Sequence, residues 1–238
     1  MDHKHKVVRV STKKEGEHFV IQVGNKAPYT QSFPECSAVK LRGKDTVVDI
    51  GAYVGEYALR CARFPVRRVF AYEPTPATFD VLHRNLKNLP ERQALQGAVA
   101  IQAAVVPDSS TRSVWLYLSR GNGTRNRLAP IRGTSAVEVP AVPYAKAVKG
   151  ATVVKIDVEG AEWDYPIATH LAAPLRGLII EFHPRKEQHR EGARLLIAQI
   201  EAAGFRRVYP ESERSFWNRF KKHGPQWGAH RAWVHDER

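Results

Sequence analysis

Residues 45–55 read DTVVDIGAYVG, and this stretch decides the fold. Its first six residues form an apolar, β-branched run, which is typical of a buried strand. Gly51 ends the run and permits a tight turn. Apolar residues then recur at helical spacing, at Val54, Tyr57, Ala58 and Cys61. The stretch therefore predicts a strand, a glycine turn and a helix, which is the repeating unit of a parallel α/β sheet.

The same alternation of strand and helix continues outward from this stretch. Apolar runs predict further strands at 68–72, 98–106, 152–156 and 178–182, and closing strands at 205–209 and 231–234. One intervening helix starts at Thr75–Pro76 with Phe79, Leu82, Leu86 and Leu89 on its apolar face, and another spans 192–203. Extended segments at 114–118 and 137–142 flank a polar loop at 121–126. The predicted fold class is α/β, with a Rossmann-like, mostly parallel sheet and helices on both of its faces.

The chain of 238 residues is predicted to hold one principal domain. Residues 1–44 form an N-terminal extension, with a short strand at 19–23 and a loop at 25–34. Residues 45–238 form the main domain, which includes a basic, aromatic tail segment at 211–229.

Composition bounds the location and the partners of the protein. Neither an apolar run of 18 residues nor a signal peptide is present, so we expect a cytoplasmic protein without a membrane span. Cys36 and Cys61 are the two cysteines and form no CxxC pair, which agrees with that expectation. The net charge of +13 indicates either an anionic partner or a generally basic proteome, and charge alone does not separate these readings.

The glycine turn and the following strand predict a nucleoside site. Glu73 follows the second strand, 18 residues after Gly55, where a carboxylate accepts hydrogen bonds from both ribose hydroxyls. Gly51 allows close approach of a ligand, and Gly55 is expected to let the helix pack near the strand. Asp49 beside the turn would repel a pyrophosphate but suits a cationic, amino-acid-bearing ligand such as S-adenosylmethionine.

A second signal is the acidic string that follows the strand at 152–156. Asp157, Glu159 and Glu162 come within six residues, with Lys155 just before them. Acids crowded at a strand end indicate a bound cation or a proton-transfer task. We expect such a role for Asp157, interpret Glu162 as a solvated acid at a helix start, and leave Glu159 open.

A third signal ends the strand at 178–182. Glu181 and His183 are two residues apart, so they share a face of the strand, at the same sheet edge as Asp157. His183 is a candidate general base for a hydroxyl group. Glu181 with Asp157 could instead hold a divalent cation such as Mg²⁺. A structural histidine before a proline is an equal alternative.

In these motifs the sequence resembles the FkbM family of methyltransferases. The matching pieces are VDIGAYVG at 48–55, YEP at 72–74, IDVEGAE at 156–162 and IEFH at 180–183. The resemblance implies a seven-stranded class I methyltransferase fold with an antiparallel last strand, S-adenosylmethionine as cofactor, and O-methylation of a sugar or natural-product hydroxyl. Under this reading Asp157 and His183 are the catalytic candidates, and one of them would take the acceptor proton. The cofactor-binding candidates are Asp49, Gly51, Ala52, Tyr53, Gly55, Glu73, Gln102, Ala104 and Asp157, with residues 102–104 near the adenine.

Two other functional classes were weighed. An RNA methyltransferase would use the basic charge and the aromatic residues Phe216, Trp217 and Phe220, which lie among Arg219, Lys221 and Lys222. We favour instead an amphipathic segment whose aromatic side chains pack on the sheet. A nicotinamide oxidoreductase is disfavoured because the third glycine of its fingerprint is absent. The predicted acceptor is a small molecule or glycan, and a homodimer is left open.

Overall fold

The computed structural model describes residues 9–11, 20–22, 29–30, 34–61, 64–87, 97–118, 126–128, 130, 134–184, 187–209, 216–217 and 229–236. The strands are β1 (Arg9–Ser11), β2 (Val20–Gln22), β3 (Tyr29–Thr30), β4 (Thr46–Ile50), β5 (Arg68–Tyr72), β6 (Ala98–Ile101), β7 (Ala104–Val106), β8 (Ser113–Tyr117), β9 (Ala136–Pro143), β10 (Val153–Ile156), β11 (Gly177–Phe182), β12 (Arg206–Tyr209) and β13 (Ala229–Val234). The helices are α1 (Pro34–Ala38), α2 (Glu56–Cys61), α3 (Pro76–Lys87), α4 (Tyr144–Ala147) and α5 (Glu187–Ala202). Two short 3₁₀ helices span Glu162–Asp164 and Ile167–His170.

The central sheet has seven strands in the order β12-β13-β11-β10-β4-β5-β6. β11, β10, β4, β5 and β6 run parallel to one another. β13 is antiparallel to both β11 and β12. The mostly parallel, seven-stranded sheet with an antiparallel last strand is therefore confirmed.

Helices cover both faces of this sheet, because its strands carry apolar side chains on both faces. Val47 lies in a buried cluster with Ala58 of α2 and Leu82 of α3. Its neighbour Val48 lies in the opposite cluster, which includes Ile200 of α5. Successive side chains of a strand point to opposite faces, so the sheet forms the middle of a three-layer core.

The predicted strand at 98–106 was wrong in one respect, since it is two strands in different sheets. β6 ends at Ile101, whose carbonyl accepts a hydrogen bond from the Ala103 amide at 3.1 Å. This tight turn directs β7 away from the central sheet, into a second sheet of order β7-β9-β8. The extended segments predicted near 114–118 and 137–142 are β8 and β9, and Leu89 falls outside the described residues.

The segments before β4 also differ from the prediction. β1, β2 and β3 form a small antiparallel sheet, so the predicted loop at 25–34 contains a strand and the first residue of α1. Cys36 of α1 and Val39 are buried in the same cluster as Val47. The core therefore includes residues that precede the predicted boundary at residue 45. Within the described segments, none of the helices has the length and apolar character needed to cross a membrane.

Candidate functional site

The carboxyl ends of β4 and β10 meet where the order of the central sheet reverses. From β4 the chain continues to β5 and β6 on one side, whereas β10 and β11 lie on the other. The parallel register sets Lys155 beside Asp49 and Ile156 beside Ile50. Open parallel sheets bind their ligands at such a reversal, outside the carboxyl ends of the strands. The residues predicted from the motifs of β4 and β10 therefore share one crevice.

Gly51 brings the turn after β4 into contact with the end of β10. Its φ is +81°, and a Cβ atom there would lie 1.7 Å from the carbonyl oxygen of Asp157. The amides of Gly51 and Ala52 donate to the carbonyl of Tyr72 at 3.0 and 2.9 Å. The turn is thus fixed between the ends of β10 and β5, which only a glycine permits.

The rest of the turn is held in unusual backbone conformations. Tyr53 has a φ of +50°, and Gly55 has a φ of +96°. A Cβ atom at Gly55 would lie 2.7 Å from the Leu82 side chain. Gly55 was expected to pack a helix near its strand, but the close neighbour is α3. Its role in the structure is therefore to let α2 approach α3.

Glu73 holds the glycine turn from the end of β5. Its carboxylate accepts hydrogen bonds from the Tyr53 amide at 2.9 Å, the Thr75 amide at 2.9 Å and the Thr78 hydroxyl at 2.7 Å. Burial raises the pKa of this carboxyl group, and the hydrogen bonds counteract that rise. Oε2 receives one of these bonds, and a carboxylate oxygen can accept two. A ribose hydroxyl therefore fits the same group.

Lys155 bridges two acids at the switch point, which is the place between β4 and β10 where the order of the sheet reverses. Its ammonium lies 3.5 Å from Asp49 Oδ1 and 3.2 Å from Asp157 Oδ2. Asp49 is fully buried, and its oxygens accept no hydrogen bond within the described structure. Burial raises the pKa of Asp49, and the charge of Lys155 partly offsets that rise. A buried carboxylate with unused acceptor capacity suits a cationic ligand group.

Asp157 and His183 do come together, as predicted. His183 Nε2 lies 3.9 Å from Asp157 Oδ1, 3.6 Å from Glu181 Oε1 and 3.9 Å from Glu159 Oε1. Burial lowers the pKa of His183, but Glu162 and the other acids outweigh burial and raise it to about 10. A protonated imidazole cannot accept a proton, so the carboxylates around His183 favour Asp157 over His183 as a base.

Glu162 was predicted to be solvated, and that interpretation was wrong. The residue is 2% exposed, and its Oε1 accepts the His183 amide at 2.7 Å while Oε2 accepts the Gly160 amide at 2.8 Å. Its Oε1 also lies 3.4 Å from His183 Nδ1, which is long for a hydrogen bond. Glu162 therefore joins the turn after β10 to the end of β11 and orients the histidine.

Two further groups at this edge, His230 and Glu56, were not among the predicted site residues. His230 of β13 contacts Glu181, with 2.7 Å between Nε2 and Oε2. Glu56 at the start of α2 has its pKa raised to about 7 by burial and by the nearby Asp157 and Asp49, against the lowering effect of Lys155. His230 could not be found from sequence, because its position depends on the antiparallel pairing of β13 with β11.

The remaining candidates have different surroundings. Gln102 follows β6 and is half-buried, next to Ile101, whose carbonyl accepts the Glu73 amide at 3.1 Å. Ala104 is buried in β7 of the second sheet. Phe216 is buried and packs edge-on against Phe182 at 5.8 Å, which confirms that this aromatic side chain packs on the sheet. Phe220 and the basic residues after Trp217 lie outside the described part of the chain.

Charge is segregated between the two edges of the sheet. The carboxyl edge carries the acids of the candidate site. Segments that enter the sheet at its amino edge carry exposed cations, namely Lys40, Lys44, Arg67, Arg68 and Lys149. The amides of Arg67 and Arg68 donate to the Asp45 carbonyl at 2.8 and 3.2 Å, which joins the segments before β4 and β5.

Two known proteins are similar in sequence to parts of this chain. Methyltransferase sdnD of Sordaria araneosa is 36% identical over 66 residues, which are 27% of this chain and 24% of that protein. Hexuronic acid methyltransferase AglP of Haloferax volcanii is 29% identical over 148 residues, which are 58% of this chain and 56% of that protein. The chain thus matches about a quarter of the first relative and a little over half of the second.

A solved structure, methyltransferase FkbM from Methylobacillus flagellatus, aligns with 14% identity and a TM-score of 0.49, covering 82% of this chain and 45% of that one. The sequence profile of the methyltransferase FkbM domain matches residues 49–207. That match extends from Asp49 in β4 to Arg207 in β12 and takes in most of the central sheet. The chain therefore belongs to the methyltransferase FkbM domain family.

Proposed function

We propose that the protein transfers the methyl group of S-adenosylmethionine to a hydroxyl oxygen of a sugar, glycan or natural-product small molecule. The observation that carries the proposal is the contact of Gly51 with Asp157 at the switch point. It sets a ligand-binding turn beside a carboxylate that is partly open to solvent. Membership of a methyltransferase family supports the reaction class.

The turn after β4 and the end of β5 supply the cofactor site in this proposal. Glu73 binds the ribose hydroxyls of S-adenosylmethionine, since its Oε2 retains acceptor capacity. Asp49 stabilises the cationic methionine part, directly or through water. Ala52, Tyr53 and Gln102 border the same edge of the sheet. Bound in this way, the cofactor would supply its methyl group at the side of the turn that contacts Asp157.

Methyl transfer is an in-line displacement at the methyl carbon. The acceptor oxygen attacks, the carbon–oxygen bond forms as the carbon–sulfur bond breaks, and the sulfonium becomes a neutral thioether. The acceptor proton passes to Asp157, whose side chain is 26% exposed, whereas that of His183 is 3% exposed. Asp157 is therefore the base within reach of an acceptor, and His183 positions the carboxylates around it.

The charge of the crevice bears on the acceptor class. Asp49, Glu56, Asp157, Glu159 and Glu181 cluster at this edge of the sheet, so a bare phosphate group there would be repelled. A neutral, hydroxyl-rich acceptor fits, and the hexuronic acid methyltransferase among the relatives supports a sugar. The cations that the described segments expose at the opposite edge of the sheet do not border Asp157. An RNA acceptor that uses the net charge of +13 is the alternative, and the assay below decides between the two classes.

The sequence left a divalent cation such as Mg²⁺ at Asp157 and Glu181 as an alternative to a general base. A divalent cation there would act as a Lewis acid on the acceptor hydroxyl and ease loss of its proton. Methyl transfer itself needs no metal, so the proposal stands with or without the ion.

A labelled-methyl assay tests the function. The full chain is incubated with S-adenosylmethionine carrying a CD₃ group and with separate pools of neutral sugars, hexuronic acid glycosides, hydroxylated natural products and RNA. Mass spectrometry should find a CD₃ ether in a small-molecule pool. Product only in RNA would overturn the acceptor class. Calorimetry should show binding of S-adenosylmethionine and none of NAD, and the reverse result would overturn the cofactor.

A further inference from the structure

Three side chains at the crevice turn one atom each toward a common point. Asp157, Glu181 and His183 each offer one ligand atom, and these three atoms lie within 4.8 Å of one another. Nε2 of His183 faces Asp157 Oδ1 and Glu181 Oε1. Nε2 is 3.9 Å from the Asp157 oxygen and 3.6 Å from the Glu181 oxygen. These separations exceed hydrogen-bonding distance. They match two ligands of one ion, which lie roughly 3–4 Å apart when each bond is about 2.1 Å.

The outer nitrogen of the histidine faces a buried carboxylate. His183 is 3% exposed, and its Nδ1 faces Glu162 Oε1 at 3.4 Å. The same Glu162 oxygen accepts the His183 amide, which fixes the ring relative to its backbone. A carboxylate behind the outer nitrogen keeps a proton there and directs the lone pair of Nε2 inward, as it does behind metal-bound histidines.

The two carboxylates are held in the same manner. Glu181 Oε2 lies 2.7 Å from His230 Nε2, so Oε1 is the oxygen that faces inward. Asp157 Oδ2 accepts from Lys155 at 3.2 Å, which leaves Oδ1 facing inward. Each inward atom is therefore oriented by a partner on its outer side, without a hydrogen bond among the three.

We propose that Asp157, Glu181 and His183 bind a divalent transition-metal ion, of the Mn²⁺ or Zn²⁺ class rather than Mg²⁺. The histidine decides the class, because imidazole suits transition metals whereas Mg²⁺ takes oxygen ligands and water.

This inference rests on the proposed function for its chemical consequence. An ion beside Asp157 would lie where the acceptor oxygen approaches, polarise that oxygen and hold a neighbouring oxygen of the same molecule. It would also turn an acid-lined crevice into one that accepts a carboxylate. The acceptor class then extends to acidic sugars such as hexuronic acids.

Metal binding is tested on the full chain after dialysis against a chelator. Mn²⁺ is titrated by calorimetry, and its bound state is examined by electron spin-echo spectroscopy for nitrogen-14 coupling. We expect one Mn²⁺ per chain, a histidine nitrogen coupling, displacement by Zn²⁺, and binding of Mg²⁺ at least about tenfold weaker. Asp157→Asn and Glu181→Gln should each weaken Mn²⁺ binding about tenfold or more. Asp164→Asn, an exposed acid of the same segment, should bind Mn²⁺ like the wild type.

The inference is overturned if Mn²⁺ and Zn²⁺ show no saturable binding, if both carboxamide variants bind like the wild type, or if bound Mn²⁺ lacks nitrogen coupling. S-Adenosylmethionine binding is measured on the same metal-free protein and on each variant. If the protein binds S-adenosylmethionine but no metal ion, the metal site is contradicted and the proposed function is not. Loss of cofactor binding in the wild type contradicts the proposed function instead.

Discussion

The carbonyl oxygen of Asp157 lies 1.7 Å from the position that a Cβ atom would occupy at Gly51. The contact is between two backbone segments, so no change of rotamer relieves it. It joins the turn that follows β4 to the residue proposed as the base after β10. The geometry of the cofactor turn and that of the base are therefore coupled.

Gly51→Ala should break this coupling. We expect roughly 2–4 kcal/mol lower free energy of unfolding and loss of S-adenosylmethionine binding, because both the clash and the positive φ oppose a side chain. Gly150→Ala is the matched control, since Gly150 has a φ of +73° and open space around its Cβ position. It should cost only about 1 kcal/mol. Denaturant unfolding measures the stability of each variant, and calorimetry measures its affinity for S-adenosylmethionine. Equal losses in Gly51→Ala and Gly150→Ala would contradict the role of the contact.

Glu73→Gln should weaken cofactor binding. The amide offers one acceptor oxygen where the carboxylate serves the Tyr53 amide, the Thr75 amide and the Thr78 hydroxyl. We expect a loss of about 1–3 kcal/mol in S-adenosylmethionine affinity by calorimetry. Thr78→Val removes one donor but no ribose ligand, so it should lower stability while affinity stays near wild type. Unchanged affinity in Glu73→Gln would remove Glu73 from the cofactor site.

The affinity for S-adenosylmethionine should rise with pH. Burial raises the pKa of Asp49, and the groups facing it are Lys155, Asp157 and Glu56. A proton on Asp49 competes with the cationic ligand, so affinity should fall by up to about tenfold per pH unit below that raised pKa. Calorimetry between pH 5 and about 7.5, where the ligand amine stays protonated, measures the slope. Asp49→Asn should bind S-adenosylmethionine more weakly, and its affinity should no longer depend on pH. If the affinity of this variant still rises with pH, the titrating group is not Asp49.

The buried ion pair at the amino edge should support the fold and leave the site unaffected. Arg176 donates to both oxygens of Asp45, at 2.9 Å from its Nε, and Thr152 donates to the same carboxylate at 2.8 Å. Arg176→Met leaves a buried charge without its cation and should cost about 3–5 kcal/mol of stability. Arg206→Met breaks an exposed pair with Asp236 and should unfold like the wild type. Equal unfolding midpoints for both variants would show that burial of the Asp45 pair contributes nothing.

Much of the sheet was predictable from the sequence, because its strands are apolar runs separated by helical patterns. The carboxyl ends of parallel strands share an edge, so Asp49, Asp157 and His183 could be expected in one crevice before any distance was known. The break between β6 and β7 could not, since residues 98–106 are apolar except for Gln102 and only a turn after Ile101 separates the two strands.

Side-chain roles that depend on register or burial were beyond the sequence. Lys155 bridges Asp49 and Asp157 because β10 and β4 pair residue 155 with residue 49. Glu162 looked like a helix-start acid, yet it is buried because the His183 amide, 21 residues away, needs an acceptor. A buried acid and a solvated one have the same local sequence, and the tertiary contact decides between them.

The most direct test of the proposed function is the turnover of Asp157→Asn with CD₃-labelled S-adenosylmethionine and the acceptor found in the pooled assay. The substitution keeps the shape of the side chain but removes its capacity to take a proton. We predict near-normal folding and cofactor affinity with turnover lower by about 10²-fold or more, whereas Asp164→Asn turns over like the wild type. Normal turnover of Asp157→Asn with that acceptor would contradict the account.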